Sequence, residues 1–312
     1  MTPRVLVTEP IHAEALALLQ ASCAVDYGPN LSPEALKVAE AQAQAILVRT
    51  APLRHAGPLL RLVSKHGVGV DNVDLAAMRA AGVAVMNTPG ANAGAVAEHA
   101  VMLMLALARD LGALEHAART GHRPGSVAGL EGRRLLVIGF GASGRKVAAL
   151  GAAMGMHVSA LSRSLAGTTT PEGYALVSSM KDALPKVDVL TLHCPLTDAT
   201  RNLIGQAELA ALPQGALVIN CARGGLIDEA ALTAALRSGH LGGAGLDVTE
   251  TEPLPSGHHL LSAPRLILTP HAAAMSRGAF RAMGMQAVQN VLDHFSGHPD
   301  PSAVLIPAAP AA

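Results

Sequence analysis

Three polar residues in the C-terminal half of the sequence, Arg223, Glu252 and His271, each lie shortly after an apolar run that reads as a strand. Because ligands bind outside the carboxyl ends of parallel strands, we expect these side chains to converge at one edge of a sheet. An imidazole is well suited to donate a proton near neutral pH, and a neighbouring carboxylate would orient the ring and stabilise its protonated form. A guanidinium would bind a substrate carboxylate and polarise a carbonyl. This set predicts hydride transfer to a small 2-oxo acid, with His271 as proton donor, Glu252 as its partner and Arg223 as the clamp.

A glycine-rich turn between an apolar strand and a helical pattern predicts a dinucleotide-binding site. Residues 135–148 read LLVIGFGASGRKVA. In this pattern the first glycine allows a tight turn and the second lets the backbone approach a pyrophosphate. The third lets the helix pack closely on the strand, with the helix N-terminus facing the anion. The predicted cofactor contacts of this turn are Gly139, Gly141, Ala142, Ser143 and Gly144.

The residue that would read the adenosine ribose indicates which nicotinamide cofactor is used. NAD-binding sites of this kind have an acidic residue at the end of the next strand, where it accepts from the ribose 2′-hydroxyl. Here Ser162 stands at that position, and Arg163 and Ser164 follow it. Without a carboxylate to repel it, a 2′-phosphate can pair with the guanidinium and the hydroxyls. The sequence therefore predicts NADP(H) as the preferred cofactor, with NAD(H) as the alternative if Arg163 is only a solvated surface residue.

Two series of alternating strand and helix patterns position these residues. The first has a helical stretch at 12–21 and ends before a long helix predicted over 94–119 and a Gly/Pro-rich stretch at 120–132. A helix predicted over 279–295 and a frayed Pro/Ala-rich end close the chain. Such alternation predicts an α/β fold with parallel sheets, doubly wound in the second series. The predicted strands are 5–8, 45–48, 62–64 and 83–87 in the first series, and 134–139, 157–162, 175–178, 187–193, 216–220, 243–248 and 266–269 in the second.

Composition and charge exclude several other classes of protein. A length of 312 residues favours two domains, and the formal net charge of zero leaves no electrostatic footprint for nucleic acid or a membrane surface. The three cysteines are too widely spaced for a disulfide framework or a zinc cluster, so no metal is expected. No signal-peptide pattern is present, and the most apolar stretch, 95–108, is too short to span a bilayer and is interrupted by Glu98 and His99. We therefore expect a cytoplasmic protein.

The motifs taken together resemble one enzyme family. GVGVDNVD at 67–74, NTPGAN at 87–92, VAEH at 96–99 and LHCPLT at 192–197 occur in order with the segments above. This sequence is similar to the D-isomer-specific 2-hydroxyacid dehydrogenases over nearly its whole length. The resemblance implies two Rossmann-like doubly wound domains, in which a larger cofactor domain, residues 96–277, is inserted into a smaller flavodoxin-like substrate domain, residues 1–95 plus 278–312. It also implies a homodimer formed through the cofactor domains.

The resemblance further implies roles for single residues. The backbone N–H groups of Val68 and Gly69 would bind the substrate carboxylate together with Arg223, and Asp247 would accept from the nicotinamide carboxamide. Cys194 and Cys221 would be packing or backbone-contact positions and not nucleophiles. Glu98 and His99 would lie on an interdomain helix, where a structural role is favoured. The remaining implied cofactor-lining residues, with these two cysteines, are His193, Cys194, Pro195, Thr200, Cys221, Ala222 and Ala273.

Several activities stay open within and beyond this family. The Ser162–Arg163 pair resembles the pattern of NADPH-using hydroxypyruvate and glyoxylate reductases, which is the main interpretation. A 3-phosphoglycerate dehydrogenase-like enzyme is the alternative, for which Arg49 and Arg54 would supply a phosphate site. A dinucleotide-sensing corepressor-like protein is the alternative of another class. Glu252 argues against formate oxidation, because formate dehydrogenases of this family have Gln at that position.

Overall fold

The computed structural model describes residues 2–123 and 125–309, so Pro124 of the predicted Gly/Pro-rich stretch and residues 310–312 of the predicted frayed end lie outside the described residues. The strands are Arg4–Val7 (β1), Ala24–Tyr27 (β2), Ala45–Val48 (β3), Leu62–Lys65 (β4), Ala84–Met86 (β5), Arg134–Ile138 (β6), His157–Leu161 (β7), Ala175–Leu176 (β8), Val189–Leu192 (β9), Leu217–Asn220 (β10), Gly243–Leu246 (β11), Leu266–Leu268 (β12) and Val304–Ile306 (β13). The helices are Ala13–Gln20 (α1), Pro33–Gln42 (α2), Leu75–Ala80 (α3), Ala93–Ala108 (α4), Leu111–Thr120 (α5), Ala142–Ala153 (α6), Met180–Ala183 (α7), Gln206–Ala211 (α8), Glu229–Arg237 (α9) and Arg277–Ser296 (α10).

The chain divides into two compact units. The first comprises the residues up to Asn92 together with those from Met275 onward, and the second comprises Ala93–Ala274. Each division falls three residues before the boundary predicted from the sequence. Among the described residues, no helix is both long enough and apolar enough to cross a bilayer.

The first unit contains a six-stranded sheet in the order β13-β5-β4-β3-β1-β2. Its first five strands in the chain run parallel in the flavodoxin-like order, and β13 pairs antiparallel with β5 at the edge. Apolar clusters cover the two faces of this sheet, and every residue of β3 is buried. The predicted strands of the first series correspond to β1, β3, β4 and β5, whereas the helices α2 and α3 were not predicted. The short half-exposed strand β2 was also missed, because it has no apolar run.

The prediction of a frayed chain end is wrong for β13. Residues Val304–Ile306 pair with β5, and the backbone N–H of Asn87 donates to the carbonyl of Ala303 at 2.9 Å. Ala303 is fully buried and Ile306 is 3% exposed. These two apolar side chains anchor the segment, and the pairing covers backbone groups that an edge strand would otherwise leave open.

The second unit contains a seven-stranded parallel sheet in the order β12-β11-β10-β9-β6-β7-β8. The strand order reverses between β6 and β9, which is the point where doubly wound sheets bind dinucleotides. Every residue of β9 and of β10 is buried, as expected for parallel strands covered by helices on both faces. The predicted α/β fold with two doubly wound sheets is confirmed.

The single long helix predicted over 94–119 is in fact two helices. α4 ends at Ala108, Asp110 takes a left-handed conformation with φ 48°, and α5 begins at Leu111. Aspartate tolerates this conformation better than most residues with a β-carbon. Its carboxylate also accepts from Arg265 Nη1 at 2.8 Å. The residue at the break thus contacts a residue distant in sequence, which helical periodicity alone does not reveal.

Candidate active site

Arg223, Glu252 and His271 follow the carboxyl ends of β10, β11 and β12, three neighbouring parallel strands of the second unit. Parallel strands end at the same edge of a sheet, so the loops that follow them meet there. The structure therefore brings together the three side chains that the sequence analysis selected. All three belong to the second unit.

Glu252 and His271 form a hydrogen-bonded pair. His271 Nδ1 lies 2.7 Å from Glu252 Oε2, and the other carboxylate oxygen accepts from the backbone N–H of Thr249 at 3.0 Å. Since a carboxylate only accepts, Nδ1 carries the proton of this bond and Nε2 is the nitrogen left for a ligand. The His271 side chain is 51% exposed, so Nε2 is within reach of a bound molecule.

The pair alters the acidity of both groups. The pKa of His271 is raised, mainly by the hydrogen bond to Glu252, although partial burial opposes this. The pKa of Glu252 is lowered: partial burial raises it, but the hydrogen bonds from His271 and from the N–H of Thr249 outweigh burial. Both shifts act in favour of a protonated imidazole beside an ionised carboxylate, which is the state needed for donating a proton.

Arg223 stands in a turn that a buried amide shapes. Asn220 is 2% exposed; its Nδ2 donates to the carbonyl of Arg223 at 2.8 Å and its Oδ1 accepts from the N–H of Ala222 at 3.0 Å. The guanidinium donates from Nη1 to the carbonyl of Ala222 at 2.7 Å. Its positive charge acts to lower the pKa of both His271 and Glu252, so it lies within electrostatic reach of both.

The loops that carry Arg223 and Glu252 are pressed together at Gly224. A β-carbon on Gly224 would lie 2.0 Å from the carbonyl oxygen of Thr249 and 2.6 Å from the nitrogen of Glu250. This glycine was not singled out from the sequence. Close backbone approach is the reason that only glycine fits.

Asp247 braces the turn that holds His271. Its side chain is 1% exposed, and its two oxygens accept from the backbone N–H groups of Ala272 and Ala273, each at 2.8 Å. The Thr269 hydroxyl donates to Oδ1 at 2.6 Å. The carboxylate is thus already held by its own chain. Its contact with the nicotinamide carboxamide stays a prediction.

Glu229, the first residue of α9, braces the loop that holds Glu252. Its Oε1 accepts from the N–H of Glu250 at 2.7 Å, and its Oε2 lies 3.6 Å from His258 Nε2. The Glu229 side chain is only 9% exposed, which strengthens both interactions. Sequence reasoning missed this residue, because nothing in the helix start distinguishes it from an ordinary first-turn carboxylate.

Glu229 also belongs to a group of side chains of the kinds that bind metal ions. Ligand atoms of Glu229, His258 and His259 lie within 4.8 Å of one another. His259 Nδ1 is 2.8 Å from the Thr233 hydroxyl, and His258 Nδ1 accepts from the N–H of Leu260. Hydrogen bonds within the chain thus account for each side chain, and the expectation of no metal stays a prediction.

The glycine-rich turn lies at the reversal of strand order in the sheet. Gly139 has φ 92°, and a β-carbon there would lie 2.5 Å from the nitrogen of Cys194, so the ends of β6 and β9 touch. A β-carbon on Gly144 would lie 2.1 Å from the carbonyl oxygen of Gly139. At Gly141 it would meet no atom within 4 Å. Close packing therefore explains Gly139 and Gly144. The open space at Gly141, the second glycine of the turn, fits the approach of a pyrophosphate.

The start of α6 also fits an anion. Gly141 is its N-cap without a capping side chain, and its first turn holds no acidic residue. Ala142 is exposed and Ser143 half-buried, so the uncapped N–H groups face solvent. Uncapped N–H groups at a helix N-terminus bind phosphate groups well.

Ser162, Arg163 and Ser164 follow β7 next to this turn. The two serine hydroxyls are 3.1 Å apart, and the Arg163 side chain is exposed. The charge of Arg163 acts on the thiol of Cys194, so the guanidinium lies near the end of β9. Two hydroxyls and a guanidinium stand where the ribose-reading carboxylate of an NAD site would be.

The other predicted cofactor positions line the ends of β9, β10 and β12. His193 Nε2 is 2.9 Å from the Thr191 hydroxyl, and burial lowers the pKa of His193 to about 4, so the ring is neutral. Burial raises the pKa of the thiols of Cys194 and Cys221, which makes both poor nucleophiles. Thr200 is buried and donates to the carbonyl of Pro195 at 2.8 Å. Ala222 is half-buried and Ala273 buried.

In the first unit, Val68 and Gly69 form a turn after β4. The carbonyl of Val68 accepts from Asn87 Nδ2 at 2.7 Å, and Thr88 closes the turn through two bonds with Gly67 at 3.1 Å. The N–H groups of Val68 and Gly69 donate to no acceptor within the described residues. A pair of open N–H groups in a turn is a small anion site.

Residues 101–273 match the family described as D-isomer specific 2-hydroxyacid dehydrogenase, NAD binding domain. The chain belongs to this family. It is therefore an oxidoreductase with a nicotinamide dinucleotide cofactor, which transfers a hydride to or from a small 2-oxo or 2-hydroxy acid.

Named relatives and a solved structure agree with this assignment. The dehydrogenase is 37% identical to the glyoxylate reductase of Aeropyrum pernix, over 97% of this chain and 96% of that one. It is 33% identical to the D-3-phosphoglycerate dehydrogenase of Methanocaldococcus jannaschii over 98% of this chain, but it spans only 60% of that protein's length. The crystal structure of an NADPH-dependent glyoxylate/hydroxypyruvate reductase from Sinorhizobium meliloti superposes with a TM-score of 0.82, at 29% identity and 97% coverage of each chain.

Proposed function

We propose that this dehydrogenase reduces glyoxylate or hydroxypyruvate to the corresponding 2-hydroxy acid, with NADPH preferred over NADH. The observation that carries the catalytic part is the 2.7 Å bond between His271 Nδ1 and Glu252 Oε2, which leaves Nε2 available as a proton donor beside Arg223. The likeness to the Aeropyrum pernix glyoxylate reductase and to the NADPH-dependent reductase from Sinorhizobium meliloti supports the substrate class.

The chain's own residues would divide the work as follows. The bound cofactor supplies the hydride. His271 donates the proton on Nε2 to the substrate oxygen as negative charge develops there, and Glu252 stabilises the ring while it is protonated. Arg223 would bind the carboxylate and polarise the carbonyl. The open N–H groups of Val68 and Gly69 would bind the carboxylate as well.

The cofactor would be held at the reversal of strand order. The pyrophosphate would lie against Gly141 and the N-terminus of α6, where a β-carbon would meet open space. The nicotinamide half would lie along the ends of β9 and β10, at the positions named for this role from the sequence. A 2′-phosphate would be held by the hydroxyls of Ser162 and Ser164 and by the guanidinium of Arg163.

A panel of 2-oxo acids assayed with NADPH and with NADH tests the proposal. We expect glyoxylate or hydroxypyruvate to give the highest kcat/KM, and kcat/KM to be higher with NADPH than with NADH.

Arg163→Ala should lower kcat/KM for NADPH roughly tenfold or more while changing kcat/KM for NADH little, because the lost contact is a charge-assisted one. Arg237→Ala, at an exposed arginine on α9, is the matched control. A preference of the native enzyme for NADH would contradict the cofactor proposal.

Phosphohydroxypyruvate in the same panel tests the second candidate. The likeness to D-3-phosphoglycerate dehydrogenase covers 98% of this chain. Arg49, however, donates to the carbonyl of Pro10 at 3.3 Å and lies 5.6 Å above the ring of Phe280, so its guanidinium already has partners. We therefore expect weak turnover of the phosphorylated acid. Cofactor binding without turnover of any acid would instead favour the dinucleotide-sensing alternative.

We also propose a cytoplasmic homodimer that associates through the second unit. Met102, Leu105 and Leu111 are 46%, 39% and 58% exposed and lie close together in sequence on α4 and α5. A group of exposed large apolar side chains is typical of an interaction surface. All three cysteines are unpaired, as suits a reducing compartment.

A further inference from the structure

Given the acid role proposed for His271, we propose that His99 on α4 is a positioning residue for it, acting through Thr269 and Asp247. The sequence analysis favoured a structural role for His99 on an interdomain helix. Its contacts within the second unit point to the site instead. His99 contacts Thr269 and Asp247, the group that braces the His271 turn.

Helix α4 is held in register against strand β11 by two glycines. A β-carbon on Gly243 would lie 2.9 Å from Leu107 Cδ2, and one on Gly245 would lie 2.9 Å from Leu103 Cβ. Four helical residues advance about 6 Å and two strand residues about 6.6 Å, so the two spacings nearly match. Each step of four residues back along α4 thus corresponds to two residues forward along β11.

The next step of this register brings His99 to Asp247. His99 stands four residues before Leu103, and Asp247 stands two after Gly245, just beyond the end of β11. His99 Nε2 is 3.5 Å from Asp247 Oδ1 and 2.9 Å from the Thr269 hydroxyl oxygen. The His99 side chain is 15% exposed and that of Asp247 1% exposed. The histidine therefore lies over a buried carboxylate at the end of the strand.

The directions of these hydrogen bonds follow from the chemistry of the groups. An ionised carboxylate only accepts, so the Thr269 hydroxyl donates to Asp247 Oδ1 at 2.6 Å. Its oxygen is then left to accept from His99, which fixes the proton of the His99 ring on Nε2. A chain of three groups results, in which His99 orients Thr269 and Thr269 orients Asp247.

Asp247 transmits this orientation to the catalytic turn. Its carboxylate accepts from the N–H groups of Ala272 and Ala273, and its carbonyl accepts from the N–H of His271 at 2.8 Å. His271 itself has φ 52°, a left-handed conformation that residues with a β-carbon rarely adopt. The braced turn is what keeps His271 in this conformation, so loosening Asp247 would misplace the imidazole.

The charge of Asp247 also reaches His271. It helps to raise the pKa of His271, after the larger effect of the bond to Glu252, while the charge of Arg223 acts in the opposite direction. If Asp247 is held less firmly, this contribution weakens. The pKa of His271 would then fall. Because reduction needs the protonated imidazole, the rate of reduction should begin to decline at a lower pH.

Steady-state and pH-rate measurements on His99→Ala and His99→Gln test the inference. We expect His99→Ala to lower kcat for 2-oxo acid reduction roughly tenfold, with KM and the Kd of the cofactor within about twofold, and to move the basic limb of the profile to lower pH. His99→Gln should recover most of kcat, because its amide N–H can donate to Thr269. His157→Ala, an exposed histidine at the amino end of β7, is the control and should match the native enzyme.

A double substitution separates positioning from simple destabilisation. Thr269→Val should resemble His99→Ala, and His99→Ala/Thr269→Val should be no slower than Thr269→Val alone, because His99 acts through that hydroxyl. The inference would be overturned if the double variant lost kcat by the product of the two single losses. It would also be overturned if the basic limb of the pH-rate profile did not move in either single variant. If His99→Ala does not fold, His99→Gln and Thr269→Val supply the same tests.

His271→Ala in the same series distinguishes the two proposals. Near-native turnover in this variant would refute the acid role of His271 itself. Normal turnover in the His99 variants beside an inactive His271→Ala would refute only the positioning role of His99.

Discussion

At the residue scale, the two ring nitrogens of His271 have different tasks. Nδ1 donates to Glu252, and Nε2 is directed to the substrate in the proposed mechanism. The carboxylate therefore fixes both the tautomer and the acidity of the ring. This division explains how a histidine that is half-exposed at the edge of a sheet can act as a proton donor.

Glu252→Gln should move the pH dependence in a defined direction. The hydrogen bond to Glu252 is the largest cause of the raised pKa of His271, so its loss lowers that pKa. Reduction uses the imidazolium and is lost as pH rises through this pKa, so the decline should begin at lower pH in the variant. Oxidation of the 2-hydroxy acid uses the neutral ring, so the pH at which the rate of oxidation rises should also be lower in the variant.

The measurement is kcat/KM against pH in both directions, with the native enzyme as reference. We also expect kcat for reduction to fall roughly tenfold or more near neutral pH, because less of the enzyme holds the proton in place. If both limbs stayed where they are in the native enzyme, the assigned partnership of Glu252 with His271 would be wrong.

Sequence reasoning reached the three catalytic candidates because each follows an apolar strand, a pattern that is local in the chain. It named His99 but favoured a structural role for it and did not reach the positioning role, because its partner Thr269 lies 170 residues away. The signal was present only as a spacing, in which glycines alternate along β11 while leucines recur every four residues along α4. Pairing the two patterns requires knowing that this helix packs on this strand.

At the element scale, the site depends on how closely two loops approach. The turn after β10 and the loop after β11 meet at Gly224, which is followed by Gly225 with φ 74°. Glu229 at the start of α9 then fixes the loop after β11 from the other side through Glu250. The positions of Arg223 and Glu252 are thus set relative to each other by backbone contact.

Gly224→Ala should therefore damage both stability and activity. Its β-carbon would overlap the backbone of Thr249, so one loop must move, at a cost of about 1–3 kcal/mol in the free energy of unfolding. We expect a lowered midpoint in denaturant and a kcat reduced roughly tenfold or more, since Glu252 moves with its loop.

Gly112→Ala is the matched control for this substitution. Gly112 lies in α5, and a β-carbon there would meet nothing within 4 Å. Alanine favours helix over glycine by about 1 kcal/mol, so this variant should be as stable as the native enzyme or more so, with native kcat. Equal behaviour of the two alanine variants would show that the approach at Gly224 is unimportant.

Elements with strong periodicity were predictable and those held by distant contacts were not. The buried strands β3, β9 and β10 read directly as apolar runs. β13 did not, because it forms only where Ala303 and Ile306 find the edge of β5. Asp110, at the break between α4 and α5, likewise contacts Arg265, far along the chain.

At the scale of the whole molecule, the chain is built from two units that each carry part of the proposed chemistry. The second unit holds the glycine-rich turn and the group of Arg223, Glu252 and His271, and the first holds the turn of Val68 and Gly69. The alternating pattern in the sequence was enough to predict two doubly wound α/β sheets, but the order of the strands within each sheet comes from the structure. The assembly of the chain with other copies is not encoded in that pattern.

Leu111→Asp tests the proposed dimer. A carboxylate in an apolar interface is costly to bury, so the variant should dissociate where the native enzyme is a dimer, as measured by sedimentation equilibrium. Leu59→Asp is the control, since Leu59 is 55% exposed, close to the 58% of Leu111, but lies in the first unit. A monomeric native enzyme, or an unaltered dimer in Leu111→Asp, would contradict the proposal.

The central claim is that His271, held by Glu252, supplies the proton during reduction of a 2-oxo acid. The most direct test is single-turnover reduction of glyoxylate or hydroxypyruvate by the His271→Ala enzyme preloaded with NADPH, beside its Kd for NADPH. The account predicts a rate lower by roughly 10²- to 10⁴-fold with a Kd within about twofold of the native value. A rate near that of the native enzyme would contradict it.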